Sequence, residues 1–218
     1  MRNLQSCAPT MRGLRDCRLY GIIDLGHLPR LRDCSRVAEQ MVAGGVDLIQ
    51  LRGKGKSIEE LVNVASQIHE ITAPSSTPLI VNDHADVAAR VPVEGVHVGQ
   101  EDDSVFLARQ KGGRDLIVGK STHSLAQAHA AQGEGADYIG FGPIFATPTK
   151  PDYKPIGLGD IRQVHLDVRI PIFCIGGINI DNLQQVIDAG AKRVVMVSAL
   201  LRAHSLVDYA RCATDMLA

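Results

Sequence analysis

Residues able to bind an anion gather between Tyr138 and Lys150, where a short apolar strand runs into a turn rich in glycine and proline. Gly140 and Gly142 let the backbone approach a ligand closely, and the prolines that follow restrict the loop before anything binds. The turn also carries two threonines and one lysine. Residues 142–150, which we call the clamp loop, are therefore either an anion clamp or an ordinary proline-rich connection.

A second polar group ends an apolar run, where Gln50, Arg52 and Lys54 alternate along the chain. Alternate residues of an extended strand point to the same side, so all three side chains are expected to face one ligand. Buried cations need partners. Arg52 and Lys54 therefore have two possible partners. One is a bound phosphate or diphosphate, and the other is an internal carboxylate such as Asp24.

Two carboxylates follow neighbouring apolar runs and predict a site for a hard cation. Mg²⁺ is usually held by one or two carboxylates together with substrate phosphates, and Asp83 and Asp102 can supply those carboxylates. The competing interpretation makes Asp83 a turn residue and Asp102 a helix cap. His97 lies inside an apolar run, which is more typical of a hydrogen-bonded core residue, and His123 is equally compatible with an ordinary loop.

A second anion site is predicted after another apolar run, at residues 175–178, whose sequence is Ile-Gly-Gly-Ile. This segment leads into a helix that Asn179 or Asp181 would cap, so backbone amides and a helix N-terminus are available to a phosphate. Ser198 is predicted to end the neighbouring strand. Two facing anion sites indicate two phosphorylated substrates.

The elements that must position these residues are short β-rich runs alternating with segments of helical period. The eight runs begin with residues 19–23, 47–51, 78–81, 95–98, 116–118, 138–140, 171–175 and 194–197. They are almost continuously apolar, as strands covered on both faces require. Between them, apolar residues recur every three or four positions, and possible capping boxes begin at Ser57, Ser124 and Ser205.

This alternation predicts an α/β protein with a single-domain (β/α)8 barrel over residues 19–218, with a doubly wound open sheet as the second choice. Nearly every polar residue that interrupts the strands lies at a carboxyl end, where barrel enzymes build their active sites. Residues 1–18 are expected to be a flexible or loosely docked extension, possible disorder included.

The composition narrows the class of protein further. The chain has 218 residues, of which 45% are hydrophobic, and a formal net charge of -1. This balance argues against nucleic acid and membrane surfaces as partners. Five scattered cysteines predict reduced, mostly structural thiols, and the absence of a long apolar stretch predicts a cytoplasmic protein.

In their order along residues 19–217, these motifs resemble the thiamine phosphate synthase and thiazole tautomerase family. The matching segments are 50–54, 82–83, 95–102, 119–123, the clamp loop, 175–178 and 197–199. The resemblance implies a transferase that joins hydroxymethylpyrimidine diphosphate to hydroxyethylthiazole phosphate, with Mg²⁺ as cofactor. The implied products are thiamine phosphate and diphosphate, and the family-level expectation is a homo-oligomer.

The resemblance also implies a role for each matching residue. The pyrimidine diphosphate would be held by Gln50, Arg52, Lys54, Asn82 and Lys150, with Ser121 near the pyrimidine and the departing diphosphate. The thiazole phosphate would be held by Thr147, Thr149, Gly177, Val197 and Ser198. Asp83 and Asp102 would bind the metal. Catalysis would rest on Ser121, Lys150, Arg52 and Lys54 and would need no side-chain nucleophile.

Two positions depart from the family pattern. Gly53 replaces an acidic residue and predicts a looser loop, and Lys120 replaces an apolar residue and predicts an additional cation. Two other functions are compatible with the residues. One is a thiazole tautomerase, with a histidine such as His123 as the acid/base group, and the other is a non-catalytic protein that binds thiamine precursors.

Overall fold

Eight parallel strands form a closed barrel in sequential order, which confirms the predicted (β/α)8 fold. The computed structural model describes residues 13–28, 30–113, 115–147 and 154–218. The strands are β1 (Leu19–Asp24), β2 (Leu48–Arg52), β3 (Leu79–Asn82), β4 (Gly95–Val98), β5 (Ile117–Thr122), β6 (Tyr138–Phe141), β7 (Ile172–Cys174) and β8 (Val194–Met196). β8 pairs with β1 and closes the barrel, so the open-sheet alternative is wrong.

Helices follow the strands and cover the outside of the barrel. They are α1 (Asp33–Ala43), α2 (Ile58–Thr72), α3 (Ala85–Ala88), α4 (Val105–Gly112), α5 (Leu125–Gly133), α6 (Ile161–Asp167), α7 (Ile180–Asp188), α8 (Ser198–Leu201) and α9 (Leu206–Met216), with 3-10 turns at Leu25–His27 and Ala73–Ser75. In the described part of the chain, no helix has the length and apolar character needed to cross a membrane.

Several predicted helix starts are confirmed by their capping hydrogen bonds. Ser57 and Glu60 form a complete capping box, in which each side chain accepts from the other residue's backbone N–H. Ser124 and Ser205 each accept from the residue three positions on. The box at Ser124 is incomplete, because the Gln127 side chain accepts from the backbone of His123 instead. Asn179 caps α7, which decides between the two predicted caps.

Apolar residues pack on both the outer and the inner side of the strands. Outward-pointing residues pack against the helices and form the larger core. Inward-pointing residues form a smaller cluster, which consists of Cys17, Tyr20, Ile22, Leu48, Ile80, Tyr138, Phe173 and Val195. Along β1 and β2 the inward positions change from apolar to polar, because Tyr20 pairs with Leu48 and Asp24 pairs with Arg52. The barrel is therefore filled at its amino-terminal end and polar at its carboxyl end.

Part of the expected amino-terminal extension contacts the barrel. Cys17 is fully buried in the inner cluster, and the backbone N–H of Arg18 donates to Asp47 Oδ2 over 2.8 Å. Residues 13–18 thus lie against the amino-terminal end of the strands. Residues 1–12 lie outside the described part of the chain, so the prediction made for them stays a prediction.

Candidate active site

A single cavity collects most of the predicted site residues at the carboxyl end of the barrel. The predicted site residues that line this cavity are Gln50, Arg52, Asn82, Ser121, Thr147, Gly177, Val197 and Ser198. Asp24, His97 and His123 line the same cavity. The strand termini bring these residues together from both halves of the sequence, as the carboxyl-end pattern predicts.

Arg52 is both a cavity residue and one member of an ion pair. Its Nη1 lies 2.6 Å from Asp24 Oδ2, and the side chains of Arg52 and Asp24 are 16% and 4% exposed. The other oxygen of Asp24 accepts from the backbone N–H of Gly26. A guanidinium has five N–H donors, so this pairing leaves Arg52 with donors for a phosphate. The internal partner and the cavity ligand, posed as alternatives by the sequence, are therefore compatible.

Lys54 does not line the cavity with Gln50 and Arg52, contrary to the expectation from alternation. β2 ends at Arg52, and a turn follows in which Gly55 has a φ of +77°. Lys54 is exposed and lies outside the cavity lining. The period-two pattern holds only within a strand, and β2 ends before Lys54.

Neither departure from the family pattern has its predicted effect. Gly53 is buried, and a Cβ there would lie 2.6 Å from Leu61 Cδ2, so the turn is closely packed rather than loose. Lys120 points to the outer side of β5, where its ammonium lies 2.5 Å from Glu134. Since Lys120 alternates with Ser121 on the strand, it adds no cation to the cavity.

The two predicted metal ligands lie on loops beside the cavity rather than in its lining. Asp83 has a φ of +64°, an uncommon conformation for a residue other than glycine, and its N–H donates to His97 O over 2.8 Å. Asp102 is exposed and accepts from Gly99 N over 2.7 Å. Ser104, not Asp102, caps α4. The described residues contain no cluster of three or more His, Cys, Asp or Glu side chains fit for a metal.

Hydrogen bonds connect five inward-pointing side chains across the barrel. Gln50 Nε2 donates to Tyr20 Oη over 2.6 Å, and Tyr20 Oη lies 2.9 Å from Tyr138 Oη. His97 Nδ1 lies 3.1 Å from Tyr138 Oη, and His97 Nε2 lies 2.9 Å from Ser121 Oγ. We call Gln50, Tyr20, Tyr138, His97 and Ser121 the buried chain. Gln50, Tyr20, His97 and Ser121 also line the cavity.

The two tyrosines of the buried chain were not predicted as site residues. Tyr20 and Tyr138 pack edge to face against each other and against Phe173, and burial raises the pKa of both phenols. They therefore remain protonated hydroxyls at neutral pH. The sequence signal was a tyrosine inside an apolar strand, because a buried hydroxyl must find a partner. His97 is a hydrogen-bonded core residue as predicted, and it also reaches the cavity.

The clamp loop and the glycine segment after β7 are joined through their backbones. Ile144 N donates to Ile175 O over 2.8 Å, and Phe145 N donates to Gly176 O over 3.0 Å. Gly177 has a φ of +66°, and a Cβ there would lie 2.6 Å from Ala146 O. The clamp loop and the glycine segment are thus neighbouring parts of one wall. Thr149 and Lys150 lie outside the described residues.

His123 holds the beginning of the clamp loop, because its Nδ1 is hydrogen-bonded to Gly142 O. Its backbone N–H donates to Gln127 Oε1 over 2.7 Å. The side chain therefore has a structural contact as well as a place in the cavity lining. These contacts fit the loop interpretation of His123 and leave its acid/base role a prediction.

The end of the cavity predicted to bind the thiazole phosphate differs from the prediction in one respect. β8 ends at Met196, and Ser198 is the first residue of the short helix α8 rather than the last residue of the strand. Asn182 Nδ2 donates to Gly177 O over 2.9 Å, which fixes the glycine segment to the first turn of α7. Gly177, Val197 and Ser198 still meet in the cavity lining.

Comparison with known proteins gives one consistent family. Residues 19–200 match the model of thiamine monophosphate synthase. A thiamine-phosphate synthase of Chloroflexus aurantiacus is 45% identical over 90% of this chain and 90% of its own, and one of Halalkalibacterium halodurans is 42% identical over 88% and 92%. The solved thiamine phosphate pyrophosphorylase of Pyrococcus furiosus has a TM-score of 0.85 at 30% identity, covering 94% of this chain and 98% of that one.

Other solved barrels with related shapes include a 3-hexulose-6-phosphate synthase, with a TM-score of 0.68 at 17% identity. Identity this low supports the fold alone. The family match and the two relatives carry more, because each spans most of the chain and includes the strands whose ends line the cavity. The chain belongs to the thiamine monophosphate synthase family.

Proposed function

We propose that this chain is a thiamine-phosphate synthase, a transferase that joins hydroxymethylpyrimidine diphosphate to hydroxyethylthiazole phosphate. The observation that carries the proposal is that one cavity contains residues of both predicted anion sites. Such a cavity brings two phosphorylated substrates into contact, which is what a bond-forming step between them requires. Family membership supports the same reaction.

The pyrimidine diphosphate is assigned to the first half of the barrel. Gln50, Arg52, Asn82 and Ser121 supply amide, guanidinium and hydroxyl groups from β2, β3 and β5. Lys54, in the turn after β2, is assigned to the diphosphate on the strength of the family resemblance. Lys150 completes the proposed diphosphate site from the clamp loop, on the strength of the family resemblance.

The thiazole phosphate is assigned to the second half. Thr147, Gly177, Val197 and Ser198 line that side of the cavity, and Thr149 joins them by the family resemblance. Backbone N–H groups in a turn with positive φ form a concave anion site without any charged side chain. The Ile175 to Gly177 backbone is already fixed by its bonds to the clamp loop, so little ordering is needed when phosphate binds.

Asp83 and Asp102 fit a magnesium ion that is also held by the substrate. Mg²⁺ prefers oxygen ligands and usually keeps several waters, with one or two carboxylates and substrate phosphates completing its shell. Two loop carboxylates beside the cavity therefore suit the ion, although they form no protein cage of three or more such ligands in the described residues. When bound, Mg²⁺ would neutralise charge on the diphosphate.

The proposed reaction is a dissociative substitution. The bond between the pyrimidine methylene carbon and the diphosphate oxygen breaks, and the oxygen keeps the electron pair. The thiazole nitrogen then gives its lone pair to the carbon and forms the new C–N bond. Arg52 and Lys150 stabilise the leaving diphosphate electrostatically, and Ser121 donates to it. The cavity holds the cation beside its acceptor and away from water, so no side-chain nucleophile is required.

The test is a direct assay of the purified protein with both phosphorylated precursors and Mg²⁺. Thiamine phosphate and diphosphate are expected in equal amounts, and omission of either precursor is expected to abolish both. Formation of an isomerised thiazole from the thiazole precursor alone would instead support a tautomerase. Saturable binding of the precursors without any product would support a non-catalytic binding protein.

Assembly and location complete the proposal. A homo-oligomer is expected from the family, and the cytoplasm is expected from the composition of the chain. Light scattering of the purified protein checks the first expectation, with a monomer mass contradicting it. Fractionation of the producing cells checks the second.

A further inference from the structure

We infer that the buried chain is a directional hydrogen-bond relay that makes the Ser121 hydroxyl a donor to the ligand in the cavity. Tyr20, Tyr138 and His97 are then positioning residues, which act through Ser121. The four contacts that carry the inference are between 2.6 and 3.1 Å long. Its chemical consequence rests on the proposed function, whereas the direction of the relay does not.

The direction begins at Gln50. An amide nitrogen can only donate, so the Gln50 Nε2 contact makes Tyr20 Oη an acceptor. A phenol has one hydrogen, and in the relay Tyr20 gives it to Tyr138 Oη, the hydroxyl 2.9 Å away. Burial raises the pKa of both tyrosines, so neither hydrogen is lost near neutral pH.

The same count of donors and acceptors gives the tautomer of His97 in the relay. Tyr138 accepts from Tyr20 and gives its own hydrogen to His97 Nδ1 over 3.1 Å. A neutral imidazole that accepts at Nδ1 carries its proton on Nε2. That proton is donated to Ser121 Oγ over 2.9 Å, and the Ser121 hydrogen is then able to turn toward the cavity that Ser121 lines.

A donor at Ser121 suits the proposed reaction. Negative charge grows on the diphosphate oxygen as its bond to carbon breaks, and a hydroxyl already oriented as a donor stabilises that charge without reorganisation. In the opposite direction, Ser121 would give its hydrogen to His97 and present only lone pairs to an anion. The orientation of a buried amide on β2 thus decides what a hydroxyl on β5 offers.

The first experiment reads the ring directly. The protein is prepared with ¹⁵N-labelled histidine, and the His97 ring signals are identified by their loss in His97→Gln. Without substrate at neutral pH, we expect Nε2 to carry the proton and Nδ1 to be unprotonated. A proton on Nδ1, or on both nitrogens, would overturn the relay. This measurement stands even if the wild-type protein forms no thiamine phosphate, which would overturn the proposed function alone.

The second experiment removes a link. Tyr138→Phe takes away the donor to Nδ1, so we expect a mixture of His97 tautomers and a kcat lower by roughly 10-fold to 100-fold, with each KM changed less than about threefold. Phe173→Leu is the matched control, because Phe173 packs in the same aromatic cluster without a hydroxyl. The control is expected to lower thermal stability without changing the tautomer. An unchanged tautomer and kcat in Tyr138→Phe would contradict the inference.

The third experiment reverses the relay and keeps it testable if Tyr138→Phe does not fold. In Gln50→Glu, an ionised carboxylate of nearly the same shape accepts from Tyr20 instead of donating to it. Each later hydrogen bond should then reverse, and the His97 proton should move from Nε2 to Nδ1 as the introduced carboxylate ionises. The readout is the ring nitrogen spectrum against pH. A proton that stays on Nε2 at all pH values would show that Gln50 does not set the direction.

Discussion

The two halves of the barrel build the cavity in different ways. The first half, β1 to β5, contributes polar side chains, namely Asp24, Gln50, Arg52, Asn82, His97 and Ser121. The second half contributes mainly glycine, proline and aliphatic positions, namely Gly140, Gly142, Pro143, Ile175, Gly176, Gly177, Ile178, Val195 and Val197, and its hydroxyls among the described residues are those of Thr147 and Ser198. One wall is made of side chains, and the other is made largely of backbone.

The two walls should respond to substitution in different ways. Buried polar side chains need partners: Arg52 bonds Asp24, and His97 lies between Tyr138 and Ser121. Losing one member leaves another unsatisfied. The backbone wall depends instead on conformations and close approaches that a Cβ would disturb, as at Gly177. Substitutions should therefore damage charge and hydrogen bonding in the first half, and shape in the second.

The largest effect is expected from Arg52→Met. The substitution removes the proposed donor to the diphosphate, and the rate of product formation should fall by about 100-fold to 1,000-fold. It also leaves the buried Asp24 carboxylate without its cation, so the free energy of unfolding should fall by about 3 kcal/mol. Steady-state assays and urea denaturation measure the two effects.

Arg90→Met is the matched control for Arg52→Met. Arg90 pairs with Glu59 at the same 2.6 Å distance, but the side chains are 44% and 76% exposed. Loss of such a solvent-screened surface pair should have little effect on the free energy of unfolding and leave activity unchanged. Asp24→Asn combined with Arg52→Met should recover stability without recovering activity. Equal losses in the Arg52 and Arg90 variants would remove the distinction between a buried side-chain wall and the surface.

Gly177→Ala tests the backbone wall and is expected to have the next largest effect. Its φ of +66° and the 2.6 Å approach to Ala146 O leave no room for a methyl group. The KM for the thiazole phosphate should rise by about tenfold, equivalent to about 1.4 kcal/mol, with a smaller change for the pyrimidine diphosphate. Gly135→Ala is the control, since Gly135 has a φ of +84° but open space around its Cβ position. Equal KM changes for both substrates would contradict a separate phosphate wall.

The fold could be predicted almost completely from the sequence. Continuous apolar runs alternating with helical periods leave few arrangements other than a parallel barrel, and Ser57 and Asn179 mark helix starts by local chemistry. The ends of the strands were harder to predict. β5 continues to Thr122 and β8 stops at Met196, because pairing with neighbouring strands, not local composition, decides where a strand ends.

The site was predicted more completely in its members than in its contacts. Gln50, Arg52 and Ser121 reach the cavity because a strand fixes the side of each residue. Lys54 does not, because its position depends on a turn. Tyr20 and Tyr138 were missed because their polar function lies in a hydroxyl at the end of an apolar ring, and its partners come from strands distant in sequence.

Gly119→Ala tests whether a change of shape alone disturbs the first half. A Cβ at Gly119 would lie 2.1 Å from Cζ of the Tyr138 ring, so the ring must move and the unfolding free energy should fall by about 1–3 kcal/mol. Activity should fall less than in Arg52→Met, since no cavity group is removed. Gly133→Ala, with open space at its Cβ position in α5, should be neutral or stabilising in thermal denaturation. A neutral Gly119→Ala would mean that Tyr138 tolerates displacement.

The smallest effect on activity is expected from Cys174→Ala, in the second half. Burial raises the pKa of this thiol to about 12, so it is no nucleophile at neutral pH, and kcat should change less than about twofold. Since the folded-state pKa lies above the unfolded value near 9, the thiol's contribution to stability is complete below pH 9 and is lost as pH rises toward 12. Cys174→Ala should therefore flatten the fall in unfolding free energy over that range, measured by urea denaturation against pH. A large loss of kcat would contradict a purely structural role for this thiol.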